Sequence, residues 1–401
     1  MFRRLVTDNS SRIIFLVLDG LGGIRNDEFP MTALEAASTP NLDALAASAA
    51  CGRSLPISIG VTPGSGPAHF ALFGYDPLAP ENDAGRGVVE VTGVGFDLHD
   101  DDVAVRGNFA TIDEHGILTD RRAGRIPHEE GIRICGKLSD NIREIDGVKI
   151  LVMPVREYRF GLVLRGDGLS PEVNETDPQK TGLKPLRPEA MNPAAGKTAD
   201  ILDKFIKKAT EVLADEPAAR TTLLRGISKK PSIEPFNSRY GLNGAAIAAY
   251  PLYRGVARLC GMELIDTGFS PAEEFETVRS AWDGGHDFFF IHIKKTDSYG
   301  EDGNIEGKRK VIEEVDAALP ILLGLKPDVI VVTGDHSTPC AMKAHSWHPV
   351  PFLIGSDTCG RDDVDSFSEA ACDRGSLGVF PASSMMELIL ANAGRLKKYG
   401  A

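Results

Sequence analysis

Three apolar runs, each closing on a carboxylate, constrain this chain more than anything else in it. Ile13–Leu18 (IIFLVL) stops at Asp19-Gly20, Phe288–Ile293 (FFFIHI) is followed by Asp297, and residues 328–333 (DVIVVT) lead into Gly334-Asp335-His336. Continuous β-branched and aromatic runs, without polar alternation, are what a strand needs when both its faces are covered. Such strands belong to parallel sheets flanked by helices. Helix signals lie between them. Thr39-Pro40 opens a stripe of Leu42, Leu45, Ala46 and Ala49 that Gly52 closes, an N-cap, a first-turn Pro and a terminal Gly. Ile305–Leu323 carries an apolar stripe at helical spacing, residues 350–355 read as a further strand, and residues 385–393 as a closing helix before Gly394.

The middle of the chain differs. Residues 149–165 are strand-like with polar interruptions, residues 171–193 are Pro-rich and polar, and residues 198–214 form an amphipathic helix. We therefore expect an α/β fold with a mostly parallel sheet flanked by helices, interrupted by an inserted α+β domain. The expected boundaries make residues 1–95 and 268–401 one discontinuous domain and residues 96–267 the insertion.

Charge sorts along the same division. The net charge of −13 speaks against a nucleic-acid partner that depends on phosphate contacts. Residues 1–95 and 268–401 hold 19 basic and 31 acidic side chains, whereas residues 96–267 hold 25 and 26. Six scattered cysteines form no CxxC pair, residues 1–11 lack the apolar core of a secretory leader, and the run at residues 13–18 is far too short for a membrane span. A cytoplasmic protein with no membrane partner is expected.

In open α/β sheets ligands bind at the carboxyl ends of the strands. Asp19, Asp297 and Asp335 all fall there, with His336 beside Asp335 and His345 just before the strand at residue 350. One such Asp alone reads equally well as a helix cap. Several together repel unless a cation neutralises them, and mixed oxygen and nitrogen donors suit a divalent metal. Ser65 sits between Gly64 and Gly66, at a turn where backbone crowds close. A serine hydroxyl needs a base or a metal to become a nucleophile, and no GxSxG elbow is present. The run Asp120-Arg121-Arg122-Ala123-Gly124-Arg125 concentrates guanidinium groups beside a glycine, a pattern suited to carboxylate and phosphate oxygens. Arg106, Arg159, Arg225, Arg239 and Arg254 are further basic candidates. His69, His292 and His348 lie near the motifs and read as supporting residues.

Taken in order, residues 15–20 (FLVLDG), 62–77 (TPGSGPAHFALFGYDP), 120–126 (DRRAGRI), 293–303 (IKKTDSYGEDG), 332–337 (VTGDHS) and 345–351 (HSWHPVP) closely resemble the archaeal-type cofactor-independent phosphoglycerate mutases of the alkaline phosphatase superfamily. The resemblance runs from about residue 12 to about residue 392. It implies an alkaline-phosphatase-like metal domain carrying an inserted phosphotransferase domain. It also implies interconversion of 3-phosphoglycerate and 2-phosphoglycerate, without 2,3-bisphosphoglycerate, through a phosphoserine and two divalent metals. Mn²⁺ is the metal expected first, with Mg²⁺, Co²⁺ or Zn²⁺ as alternatives.

By the same resemblance, Ser65 is the serine that takes the phosphoryl group. Asp19, Ser65, Asp335 and His336 match one metal's ligands, and Asp297 and His345 match two of the other's. Arg121 and Arg125, then Arg225 and Arg254, match substrate-binding positions of the inserted domain. One departure stands out: where the family pattern has Gly-His-Asp-Gly, this chain has Gly300-Glu301-Asp302-Gly303. Glu301 is expected to take the histidine's place, with Asp302 as the alternative. A carboxylate there hardens the site toward Mn²⁺ or Mg²⁺. Within the superfamily, a metal-dependent phosphatase or a phosphopentomutase-like enzyme would use the same serine and metals. The Glu301 departure leaves room for a catalytically inactive regulatory homologue.

Overall fold

The computed structural model describes residues 2–82 and 84–400. They form two compact units: Met1–Asp83 with Ile233–Ala401, and Ala84–Ser232. In chain order the strands of the described residues are β1 (Ile13–Leu18), β2 (Ala50–Leu55), β3 (Val103–Ile112), β4 (Leu118–Asp120), β5 (Glu144–Ile145), β6 (Val148–Arg156), β7 (Arg159–Arg165), β8 (Thr221–Lys229), β9 (Gly244–Ala248), β10 (Glu263–Ile265), β11 (Phe288–Ile293), β12 (Val329–Thr333), β13 (Val350–Ser356) and β14 (Val379–Pro381).

The first unit is built on an eight-stranded sheet in the order β10-β9-β11-β1-β12-β13-β2-β14. It is mostly parallel; β13 alone runs against its neighbours β12 and β2. β1 lies between parallel partners, with Leu16 opposite Ile291 on one side and Val332 on the other. All six of its residues are buried, which is why its apolar run does not alternate. Ile14, Leu16 and Leu18 face a core completed by Ile312, Val315 and Leu319 of the helix Ile305–Leu323 and by Phe275 and Val278 of the helix Pro271–Ala281. On the opposite face, Phe15 packs edge-on to Phe73 and tilted against Phe288 and Phe290. No helix of the described residues is long and apolar enough to cross a membrane.

One local expectation fails here. The helix read as running to Gly52 ends at Ala46, and Ala50–Leu55 is a strand. Gly52 is no helix stop: a Cβ there would lie 2.6 Å from the Gly378 carbonyl oxygen, so the glycine lets another backbone segment pass against mid-strand.

The second unit holds an antiparallel sheet, β4-β3-β7-β6-β5, with β8 also paired to β3. The helices His128–Asn141 and Gly196–Val212 supply Ile134, Leu138, Leu202 and Phe205 to a core with Val105, Phe109 and Phe160. The segments 149–165, 171–193 and 198–214 fall in β6–β7, an irregular stretch and the second of these helices, as the sequence indicates.

The units divide at other points than residues 95 and 267. The helix Arg86–Gly93 belongs to the second unit, where Gly87 comes so close to the Ala104 carbonyl that a Cβ would lie 2.6 Å from it. Residues 233–267 belong to the first unit, because β9 pairs in parallel with β11. β9 (GAAIA) is fully buried but made mostly of small residues. Gly and Ala carry little strand signal, so its place in the large sheet is invisible to a pattern search.

Candidate functional site

β11, β1 and β12 are adjacent and parallel, so their carboxyl ends open onto one spot. Asp19 leaves β1 directly, Asp335 and His336 follow β12, and Asp297 lies in the short helix Lys295–Glu301 after β11. All four are at most 1% exposed. His345 arrives from the connection between β12 and β13, its ring stacked on that of His336 at a centroid distance of 3.7 Å. Two sets of donor atoms emerge, each within 4.8 Å of one another: Asp19, Asp335 and His336, and Asp297, His336 and His345. His336 belongs to both, its Nε2 lying 3.1 Å from Asp335 Oδ2 and 3.4 Å from Asp19 Oδ1.

The electrostatics of this pocket are unbalanced in a way that fits a cation. Asp19 Oδ1, Asp335 Oδ2 and His336 Nε2 are buried without a hydrogen-bond partner, and the three atoms belong to one donor set. Buried polar atoms are normally paired, and lone pairs left together describe a metal's surroundings. Burial raises the Asp19 carboxyl, but Lys294, then His292 and His336, hold it well below the usual range. Burial and then the charge of Asp19 push Asp335 well above it. Burial holds His336 well below its ordinary value, and His69 down to about 3. The imidazoles are thus neutral, the form that ligates.

Several supporting contacts fix these donors. His345 Nδ1 lies 3.0 Å from the Pro63 carbonyl oxygen, and His69 Nδ1 2.8 Å from that of Ser65. Carbonyls only accept, so each Nδ1 carries a proton and donates it. His69 Nδ1 is also 3.4 Å from Asp335 Oδ2. These contacts tie the Ser65 turn to the carboxylate cluster. Ser65 itself begins the helix Ser65–Leu72, whose N-cap Gly64 brings no side chain to the helix's free N–H groups.

Glu301 ends the helix that holds Asp297. Its Oε1 stands 3.8 Å from His345 Nε2, its side chain 54% exposed, at the rim of the cluster rather than within it. Burial and the charge of Asp297 raise its carboxyl. Asp302 is the exposed residue that caps the same helix.

In the second unit, Arg121 grips Asp177 in a two-pronged pair, Nε and Nη2 each 2.7 Å from a carboxylate oxygen. Arg225 Nη1 reaches the same carboxylate at 3.7 Å, and its Nε meets Glu175 at 3.0 Å. Arg106, opposite Arg225 across the β3–β8 ladder, pairs with buried Glu90 at 3.2 Å. The AGR turn is left-handed throughout, with φ of 46° at Ala123, 66° at Gly124 and 52° at Arg125. Non-glycine residues there carry strain of the kind that collects at ligand sites. Asp120 holds the turn by accepting from the Arg122 and Gly124 amides. Arg254, expected in the insertion, lies instead in the first unit, on the helix Pro251–Leu259, paired with Asp266 at 2.7 Å.

A family model described as 2,3-bisphosphoglycerate-independent phosphoglycerate mutase matches residues 46–219. A protein of Aquifex aeolicus named a probable 2,3-bisphosphoglycerate-independent phosphoglycerate mutase is 50% identical over 405 residues, covering 99% of this chain and 98% of its own. The chain belongs to this mutase family. A relative of the same name from Thermus thermophilus is 46% identical, covering 100% of this chain and 99% of its own. Among solved structures, the PH0037 protein of Pyrococcus horikoshii superposes with a TM-score of 0.83 at 29% identity, covering 98% of this chain and 100% of that one. The cofactor-independent phosphoglycerate mutase of Thermoplasma acidophilum gives 0.70 at 30%, covering 96% and 100%. The fold of this mutase family is therefore the α/β fold described above.

Sequence reasoning missed three residues of the site in this family member. Lys294 Nζ lies 2.9 Å from Asp19 Oδ2 and 2.6 Å from Asp297 Oδ2. Tyr253 donates its hydroxyl to Asp19 and stacks on His292 at 3.5 Å. The Thr338 hydroxyl donates to Asp297 Oδ1 at 2.6 Å and lies 3.0 Å from His336 Nδ1. Lys294 was legible in principle, three residues before Asp297 at a strand end. Tyr253 was not, because nothing local signals that residue 253 meets residue 19.

Proposed function

We propose that this protein is a phosphoglycerate mutase that interconverts 3-phosphoglycerate and 2-phosphoglycerate without 2,3-bisphosphoglycerate. The observation that carries this is the meeting of Asp19, Asp297, Asp335, His336 and His345 at the ends of three adjacent strands, in a chain that matches mutases over its full length. Asp19, Asp335, His336 and the Ser65 hydroxyl would hold one divalent ion. Asp297, His345 and Glu301 would hold the other, with His336 within reach of both. Mn²⁺ suits this mixed, carboxylate-rich set. When bound, such ions neutralise phosphoryl oxygens and make a serine hydroxyl more acidic.

The chain's own groups then have the following work. Ser65 Oγ gives up its proton and attacks the phosphorus of 3-phosphoglycerate; the bond from phosphorus to O3 breaks, O3 takes up a proton, and phosphoserine and glycerate form. Phosphoryl transfer asks mainly for positioning and charge stabilisation. Arg121, Arg125 and Arg225, all in the second unit, would bind the anionic groups of the substrate. The O2 hydroxyl of glycerate next loses its proton and attacks the phosphoserine; the bond from phosphorus to Ser65 Oγ breaks, and Ser65 regains a proton. Water must be kept from the phosphoserine, or the outcome is a phosphatase. The six cysteines are all free and five are buried, which supports a reducing, cytoplasmic setting.

A coupled assay with 3-phosphoglycerate and Mn²⁺, in the absence of 2,3-bisphosphoglycerate, tests the reading. Turnover that stops on chelation and in Ser65→Ala is expected. Full turnover by Ser65→Ala, or release of inorganic phosphate alone, refutes it.

A further inference from the structure

Lys308 is a member of neither donor set, yet it lies directly beneath them. It sits on the helix Ile305–Leu323 and is 1% exposed. A buried ammonium is unfavourable unless each of its protons is donated. Here the donations go to three backbone carbonyls: Gly20 at 2.6 Å, Thr338 at 2.9 Å and Gly22 at 3.4 Å. Two of these carbonyls belong to the turn that follows Asp19. The third belongs to the turn that carries Asp335 and His336.

Other bonds lace the same two turns. The Thr338 amide donates to the Gly20 and Gly22 carbonyls at 3.2 Å and 3.1 Å, and the Gly20 amide donates to Asp335 Oδ1 at 3.0 Å. Thr338 then reaches upward, its hydroxyl touching Asp297 and His336. Gly300, in the helix of Asp297, passes so close that a Cβ would lie 2.4 Å from the Thr338 carbonyl oxygen. A single cation thus gathers carbonyls from both ligand-bearing turns, and the residue it holds touches members of both donor sets.

We infer that Lys308 is a positioning residue for the metal centre. Its ammonium ties the turn at residues 19–22 to the turn at residues 335–338, and through Thr338 sets the spacing of the two donor sets. The inference rests on the two-metal reading above. A methionine side chain fills the same volume but leaves the carbonyls without a donor.

The test is Mn²⁺ binding by calorimetry to the full-length protein, wild type against Lys308→Met, with the visible spectrum of each protein loaded with Co²⁺ as a second readout. Loss of a residue that orients ligands from outside the metal's own shell costs about 10–100-fold in affinity, and that loss is expected here, with an altered Co²⁺ spectrum. A merely structural lysine would lower the melting temperature in EDTA and leave both readouts alone. A folded Lys308→Met protein with affinity within about twofold of wild type and an unchanged spectrum overturns the inference. A measurement on the metal-free wild type needs no variant: the Gly20 and Thr338 amides should exchange hydrogen as slowly as β1 and β12. Exchange about 100-fold faster than those strands, which marks local opening, overturns it as well. Absence of Mn²⁺ binding to the wild type would sink the two-metal reading, and hydrogen exchange would still decide whether the staple exists.

Discussion

Asp19 and Asp335 leave neighbouring strands, both fully buried, yet Asp19 is held low by Lys294 and the histidines while Asp335 is pushed high by burial and by Asp19. Two negative charges so close oppose each other, and a divalent cation would relieve both. Glu301 extends the same logic to the rim. Glu301→Ala should weaken one of two Mn²⁺ sites by about tenfold or more and lower turnover, while Asp302→Ala leaves both near wild type. Metal content after dialysis and the coupled assay report each. Unchanged metal and rate in Glu301→Ala would give the position back to Asp302 or to neither. Away from the site, Glu274 is 3% exposed, and burial raises its carboxyl to about 9. The folded value lies above the unfolded one of about 4.3. Its contribution is therefore complete below that pH and fades as pH rises toward 9. Glu274→Gln has no such dependence, so its stability advantage over wild type should grow by roughly 2–4 kcal/mol between pH 5 and pH 8, read from denaturant melts. A constant difference would refute the buried, neutral carboxyl.

Elements differ in how plainly the chain announces them. β1, β11 and β12 are covered on both faces and read as unbroken apolar runs; the carboxylates that end them were found the same way. β9 is as deeply buried but built mostly from Gly and Ala, so it carries no such run. Hidden with it are the helix Pro251–Leu259, and so Tyr253 and the true unit of Arg254. The turn after β1 depends on one conformation. Gly20 has φ of 63°, and a Cβ there would lie 2.5 Å from Thr338 Oγ1 and 2.9 Å from Asp297 Oδ1. Gly20→Ala should therefore destabilise the protein by about 1–3 kcal/mol, from left-handed strain and the displaced threonine. It should also weaken Mn²⁺ binding. A thermal melt paired with a metal titration checks both; a variant with wild-type stability and affinity would mean that the turn yields easily.

Across the whole molecule, acidity follows the units. The first unit holds 21 basic and 33 acidic side chains, a balance of −12, and the second 23 and 24, a balance of −1. That division suits cations on the first and an anionic substrate among the arginines of the second. Each unit has its own core, so metal should act on one of them. Mn²⁺ at a hundredfold excess over its dissociation constant should stabilise the first unit by about 2.7 kcal/mol per site and leave the second unchanged. Calorimetry with and without EDTA, or hydrogen exchange resolved along the chain, would show it; equal protection of both units would contradict the assignment. The sequence by itself determined the α/β class, the strand ends, the candidates Asp19, Asp297, Asp335, His336 and His345, and the excess negative charge, because each is written within a few residues or in composition. Only the tertiary structure decided that His336 reaches both donor sets, that Tyr253, Lys294 and Thr338 surround them, that Lys308 lies beneath, and where the units divide. Those facts depend on which distant segments pair, and pairing between residues far apart in the chain leaves no local pattern to read.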